Sequence, residues 1–294
     1  MSFFLFPGQG SQKVGMGQDF YTDSPIAKAT LDEANTLFDG DLLKTLFEGP
    51  QEDLNHTRAA QPGLLAVEVA IARHLIDTGV TPDGCTGHSL GEIPALVIAG
   101  ALSFEDAFKF TLERARLMSE NVPEGGMAAV MGLDAEAIAA NLPEGVQVAN
   151  YNGPGQTIIS GCTTGIEAAI TTLKDAGAKR VLPLKVSGPF HSEFMRPAAE
   201  QLTAILADMA IAAPEYKFIS SVTAQAESNP EVIRRLLVEQ LYSPVRWTEV
   251  MASVHEYDAL EVGPGNVLKG LAKRMDTAPA IACVGALAEL DALS

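Results

Sequence analysis

The sequence predicts an α/β fold, a mostly parallel sheet flanked by helices, with a smaller domain inserted into it. Three observations carry that reading. In the first part of the chain, short apolar runs alternate with longer helical patterns, the rhythm of a parallel sheet. After "VPEGG" the order becomes β-α-β-β-α-β, the split arrangement of ferredoxin-like domains. Within the first part lies "GHSLGE", Gly87 to Glu92, whose G-x-S-x-G spacing suits a sharp strand-to-helix turn that exposes a serine hydroxyl. That turn makes the large domain α/β-hydrolase-like.

Taken in order, "SFFLFPGQGSQ" reads as a strand running into a glycine-rich loop. "QPGLLAVEVAIARHLIDTG" reads as a helix, with Pro62 in its first turn and Gly79 just past its end. A short strand, the serine turn and the apolar helix "IPALVIAGAL" follow. "SFEDAFKFTLERARLMSEN" opens with Ser103 and Asp106 at capping distance and continues as a long amphipathic helix through Asn121. Then "MAAVMGL", "VQVANYN", "TIISG" and "KRVLPLKVS" read as strands, with "DAEAIAANL" and "GIEAAITTLKDAG" as the helices among them. Helices return from "GPFHSEFM", followed by the apolar strand "ALEVGPG" and a helix starting near Asn266. The expected division is 1–122 and 189–294 for the large domain and 123–188 for the ferredoxin-like insertion.

At 294 residues the chain can build a sizeable core, and 47% apolar with 19% charged residues is ordinary for a globular protein. A net charge of −17 argues against nucleic-acid or anionic-membrane binding. Three separated cysteines (Cys85, Cys162, Cys283) form no C-x-x-C pair, so neither a zinc site nor a disulfide framework is expected. No run approaches the ~18 apolar residues of a membrane span. The opening "MSFFLFPGQGS" lacks a basic leader and reads as a strand, so a cytoplasmic protein is expected.

A serine on such a turn needs a base, and histidine is the usual one. In the hydrolase chain order the histidine follows the serine, which leaves His191 and His255. His191 lies in the strand-end loop "SGPFHSEF", where site residues are commonly held, and His255 in the polar stretch "SVHEYDA". The loop "PGQGSQ" matches neither phosphate-loop pattern. It reads either as a tight turn or as the source of a backbone N–H, that of Gln9, which would form an oxyanion hole with the N–H of Leu90. On the long helix, Arg116 shares a face with Lys109, Glu113 and Glu120, a solvated pattern. Arg114 shares its face with Ala107, Phe110, Leu117 and Met118. A buried arginine needs a partner, so either a distant carboxylate or that of a ligand meets it.

Seven stretches in order ("FPGQGSQ", "GHSLGE", "RARLM", "NYNGPGQTIISG", "SGPFHS", "LYSPVRWTEV" and "VGPGNVL") give the sequence a resemblance to malonyl-CoA:acyl-carrier-protein transacylases over essentially its whole length. The resemblance implies a ping-pong reaction without cofactor or metal. Ser89 takes the malonyl group from malonyl-CoA as an ester and passes it to the phosphopantetheine thiol of an acyl carrier protein. His191 is then the general base and acid, and Gln9 and Leu90 supply the oxyanion N–H groups. Arg114 binds the malonyl carboxylate. The histidine of this family is oriented by a backbone carbonyl, whose matching position is Gln240. Gln61 and Asn152 match polar residues around the site, and Phe190 fits selection for malonyl.

Ile93-Pro94 departs from the aromatic and small residues common there, although proline is tolerated in a first helical turn. An acidic carrier would need a local basic patch on this acidic chain, with Lys179, Arg180, Lys185, Arg196 and Arg234 as candidates. A serine acyl hydrolase using the same Ser-His pair is the alternative; it has no use for a carboxylate-binding arginine.

Overall fold

The computed structural model describes residues 2–120 and 122–293. Asn121, expected to close the long helix, lies outside the described residues, as do Met1 and Ser294 at the ends of the expected large domain. Strand β1 (Ser2–Phe6) is followed by four helices, α1 (Gln18–Asp23), α2 (Pro25–Leu37), α3 (Leu42–Phe47) and α4 (Gln51–Asn55). Next come α5 (Thr57–Asp77), β2 (Gly84–Gly87), α6 (Glu92–Ile98) and α7 (Phe104–Leu117). The middle of the chain holds β3 (Gly126–Met131), α8 (Ala135–Ala140), β4 (Val146–Tyr151), β5 (Gln156–Gly161), α9 (Thr163–Asp175) and β6 (Arg180–Pro183). The remainder is α10 (Arg196–Ala207), β7 (Lys217–Ile219), β8 (Ala226–Glu227), α11 (Pro230–Glu239), α12 (Trp247–Ser253), β9 (Asp258–Val262), α13 (Val267–Ala272) and β10 (Ile281–Val284).

Two sheets result. The larger has the order β10-β9-β1-β2-β7-β8, parallel throughout except for the β7–β8 pair. Its central strand β1 reads "SFFLF", and Phe3 to Phe6 are fully buried, because a parallel strand covered on both faces is apolar at every position. The smaller sheet, β4-β5-β3-β6, is antiparallel, with the first and third of its strands at the centre as in ferredoxin-like units. The mixed architecture expected from the sequence is therefore present. Backbone bonds from Tyr151 N–H to Val245 and from Val245 N–H to Ala149 tie the edge strand β4 to the segment after α11.

Several boundaries differ from the expectation. Pro62 sits inside α5, five residues past its start at Thr57, because "TRAAQ" is itself helical; the proline there lacks an N–H for the ladder and crowds the carbonyl of Arg58, four residues before it. The helix carrying Arg114 ends at Leu117, with Met118 as its cap. Its start is as expected, with Ser103 accepting from the Asp106 N–H at 3.0 Å.

Candidate active site

Strand β2 runs parallel to β1, Phe6 opposite Gly87, and delivers the chain into the serine turn. Ser89 has φ 53°, in the left-handed region that L-residues avoid, and a single 3₁₀ turn (Ser89–Gly91) leads into α6. Both flanking glycines are required by space. A Cβ on Gly87 would lie 2.0 Å from the Gly91 carbonyl carbon, and one on Gly91 would lie 2.1 Å from the Phe6 carbonyl oxygen. Since backbone cannot yield as a flexible side chain does, Gly91→Ala is expected to destabilise by ~1–3 kcal/mol or more, read as a lower urea midpoint at unchanged slope.

His191 also has a positive φ, 56°, and is 5% exposed. The Ser89 hydroxyl donates to its Nε2 at 2.8 Å. Its Nδ1 lies 2.8 Å from the Gln240 carbonyl and 3.2 Å from that of Ser243. Two carbonyl acceptors place the ring proton on Nδ1, so the Nε2 lone pair is free to receive the serine proton. Burial, then the charges of Arg114 and His88, push the imidazole down to about 3. It is a neutral base at physiological pH. His255 is exposed, with its ring on the Ala252 carbonyl.

Arg114 reaches the serine from α7. It is 1% exposed, and burial lowers its guanidinium to about 10, which leaves it a cation. It donates to Gln61 Oε1 at 2.7 Å, to Gln240 Oε1 at 2.9 Å and to Ser89 Oγ at 3.3 Å, and its Nε has no partner. Among the described residues no carboxylate forms an ion pair with it. The buried cation therefore meets only neutral acceptors.

The loop after β1 lies against the serine turn: a Cβ on Gly8 would come 2.5 Å from the His88 carbonyl oxygen. Gln9 is linked to the cluster through its side chain, which donates to Thr57 at 3.1 Å and accepts from Gln61 Nε2 at 3.3 Å. Leu90 and Phe190 are buried beside Ser89 and His191. Asn152 lies beside the serine turn. Its side-chain oxygen takes the His88 Nε2–H at 2.8 Å, so it braces the turn through His88. Two of the candidate basic residues have partners within the chain. Arg196 is held by Glu193 and lies over the Tyr242 ring, and Arg234 donates to the Leu206 and Met209 carbonyls. Lys179, Arg180 and Lys185 remain exposed.

Residues 3–275 match the acyl transferase domain family. A malonyl CoA-acyl carrier protein transacylase of Bacillus subtilis is 46% identical over 93% of this chain and 90% of its own length. The chain belongs to this transacylase family. The Escherichia coli member is 44% identical, with 92% of each chain covered. The solved structure of an acyl carrier protein S-malonyltransferase from Vibrio cholerae is 43% identical and superposes with a TM-score of 0.96, covering 100% of this chain and 99% of the other. A malonyl-transacylase solved in complex with its type II PKS acyl-carrier protein is 41% identical, with a TM-score of 0.94 over 99% and 97% of the two chains.

Glu92 was not among the expected site residues, although it stands in the quoted "GHSLGE" motif. It is buried, with Oε1 accepting from the Ser221 N–H and Oε2 from Gln240 Nε2. A lone acid opening an apolar helix was the available signal.

Proposed function

We propose that this transacylase moves a malonyl group from coenzyme A to the phosphopantetheine thiol of an acyl carrier protein, in fatty-acid or polyketide synthesis, and that it works in the cytoplasm. The observation that carries the reading is a serine–histidine pair at 2.8 Å with a buried arginine 3.3 Å from the same hydroxyl. No helix among the described residues is long and apolar enough to cross a membrane. Residues 123–188 are read as a unit inserted between the two parts of the large domain, 1–122 and 189–294.

In the first half-reaction Ser89 Oγ attacks the thioester carbonyl while its proton passes to His191 Nε2. The N–H groups of Gln9 and Leu90 meet the developing oxyanion. The C–S bond then breaks, coenzyme A leaves as the thiol with the proton from His191, and malonyl remains as the Ser89 ester. The carrier's thiol repeats the sequence in reverse order: it gives its proton to His191, attacks the ester, and Ser89 recovers the proton. The Gln240 carbonyl holds the imidazole in register. The carboxylate of malonyl takes the free donors of Arg114, with Gln61 behind the guanidinium and Phe190 limiting space beside the acyl carbon.

Mass spectrometry after mixing with malonyl-CoA should show one malonyl ester on Ser89, lost on adding phosphopantetheinylated carrier as malonyl-carrier appears. An ester that turns over only to free malonate points instead to a hydrolase. Arg114→Ala removes one side of a desolvated charge pair, a loss of ~3–5 kcal/mol, so malonyl loading should fall roughly 10²–10⁴-fold. The preference over acetyl-CoA should vanish with it. Arg116→Ala is the control: its guanidinium is exposed and paired with Glu113 and Glu120, so loading should change by less than about threefold.

A further inference from the structure

Gln240 makes contacts on every side. Its backbone carbonyl takes the His191 Nδ1–H, its Oε1 accepts from Arg114 Nη2 at 2.9 Å, and its Nε2 donates to the Ser89 carbonyl at 2.9 Å and to Glu92. A primary amide has one acceptor end and one donor end. Here the chemistry allows only one orientation. Turned over, it would set its NH₂ against a guanidinium that can only donate, and its oxygen against two acceptors.

What fixes the donor end is Glu92. This side chain is 1% exposed, and its hydrogen bonds go to Ser221 and Gln240 rather than to Ser89 or Arg114. Both its oxygens accept, one from the Ser221 N–H just past β7 and one from Gln240; burial pushes its carboxyl up, and these hydrogen bonds act the other way, in favour of the carboxylate. Its negative charge acts on Arg114 against the effect of burial, yet without an ion pair between the two. The amide stands between them, its positive end on the carboxylate and its negative end on the guanidinium.

Resting on the malonyl-transfer reading above, we infer that Glu92 is a positioning residue for acyl selectivity: through the Gln240 amide it holds Arg114 where a malonyl carboxylate can be gripped. A carboxylate bonded to the guanidinium directly would occupy the donors that malonyl needs. A counter-charge one amide away stabilises the buried cation without pairing with it, so its donors rest on neutral acceptors and its Nε–H has no partner. Gln61 Oε1, on the other nitrogen, completes the hold.

The variant that tests this is Glu92→Gln, which keeps shape and volume. A glutamine side chain cannot accept at both ends, so its NH₂ faces either Ser221 N–H or Gln240 Nε2. The second arrangement favours the reversed Gln240 amide and deprives Arg114 of an acceptor. The readout is the ratio of malonyl-CoA to acetyl-CoA loading on Ser89, by mass spectrometry of quenched reactions. Glu92→Gln should lower that ratio about tenfold or more, the scale of a hydrogen bond to a charged group. Gln240→Met, which removes the relay from its other end and keeps the backbone carbonyl, should lower it likewise even as both rates fall.

Equal losses for the two acyl groups in both variants would make Glu92 a framework residue of the serine turn and overturn the inference. An unchanged ratio overturns it too. If Glu92→Gln does not fold, Gln240→Met decides alone. A Gln240→Met chain that also fails to fold counts against the inference, since the amide is then part of the framework. Wild-type protein that forms no malonyl ester at all refutes the malonyl-transfer reading itself, a result distinct from a selective wild type whose variants stay selective.

Discussion

Ser89→Ala is expected to form no covalent adduct with malonyl-CoA and to lose transfer to the carrier almost completely. Removing the nucleophile of a serine–histidine site costs roughly 10⁶-fold in turnover, because the remaining groups then have no bond to assist. Nothing nearby can take its place. The Ser192 hydroxyl is committed to the Pro189 carbonyl and that of Ser11 to the Gly8 carbonyl. Cys85 is buried, which pushes its thiol up, and burial holds the Cys283 thiol up at about 11, so neither offers a thiolate at neutral pH. The left-handed φ of Ser89 predicts a secondary effect. Alanine tolerates φ 53° no better than serine does, so the variant should melt near the wild type. A malonyl adduct of unchanged yield on Ser89→Ala, located by peptide mapping, would move the nucleophile elsewhere.

The serine turn was legible because its geometry allows few residues. Two glycines are forced by backbone contacts near 2 Å, and that requirement is written at fixed spacing around Ser89. Arg114 was legible by a different route. A helix with a guanidinium on its apolar stripe has a charge in need of a partner, and the sequence left open whether protein or ligand supplies it. The structure answers with glutamines, which explains why no acid stood out locally. The ferredoxin-like order was readable because each strand and helix there has its own period and its own turn. The short strands β7, β8 and β10 carried too little pattern, and β10 gains its place only by pairing with β9, a partner Ala259 to Val262 earlier in the chain.

Long-range side-chain partnerships were the illegible part. Arg234 looks like a surface cation in sequence, and only the packing of α10 against α11 turns it onto the Leu206 and Met209 carbonyls. Glu92 meets Ser221 and Gln240, which lie 129 and 148 residues away, and no local period records such contacts. Asn152 shows how a residue assigned to a site by resemblance can reach it at one remove, through His88.

His191→Ala is expected to lower transfer by roughly 10²–10⁴-fold, the scale of general acid–base catalysis, while the exposed His255→Ala stays near wild type. The pH dependence gives the sharper test. A base works in its neutral form, and the folded environment depresses His191 from 6.5 to about 3, so protonation removes it only as the pH falls through the lower value. The rate of Ser89 acylation at limiting malonyl-CoA should therefore show no inflection near 6.5. Burial is the largest cause of the depression, and neighbouring charges add to it. Part of it comes from the Arg114 charge, which opposes the imidazolium that must form when Ser89 gives up its proton. A malonyl carboxylate seated on Arg114 offsets that charge and makes His191 a stronger base at the moment of attack; acetyl-CoA brings no such offset. Arg114→Ala should accordingly bring the acylation limb of the profile up toward the ordinary histidine value while malonyl loses its advantage. A wild-type limb near 6.5 in the presence of malonyl-CoA, unchanged in Arg114→Ala, would show that the arginine's field does not reach the base.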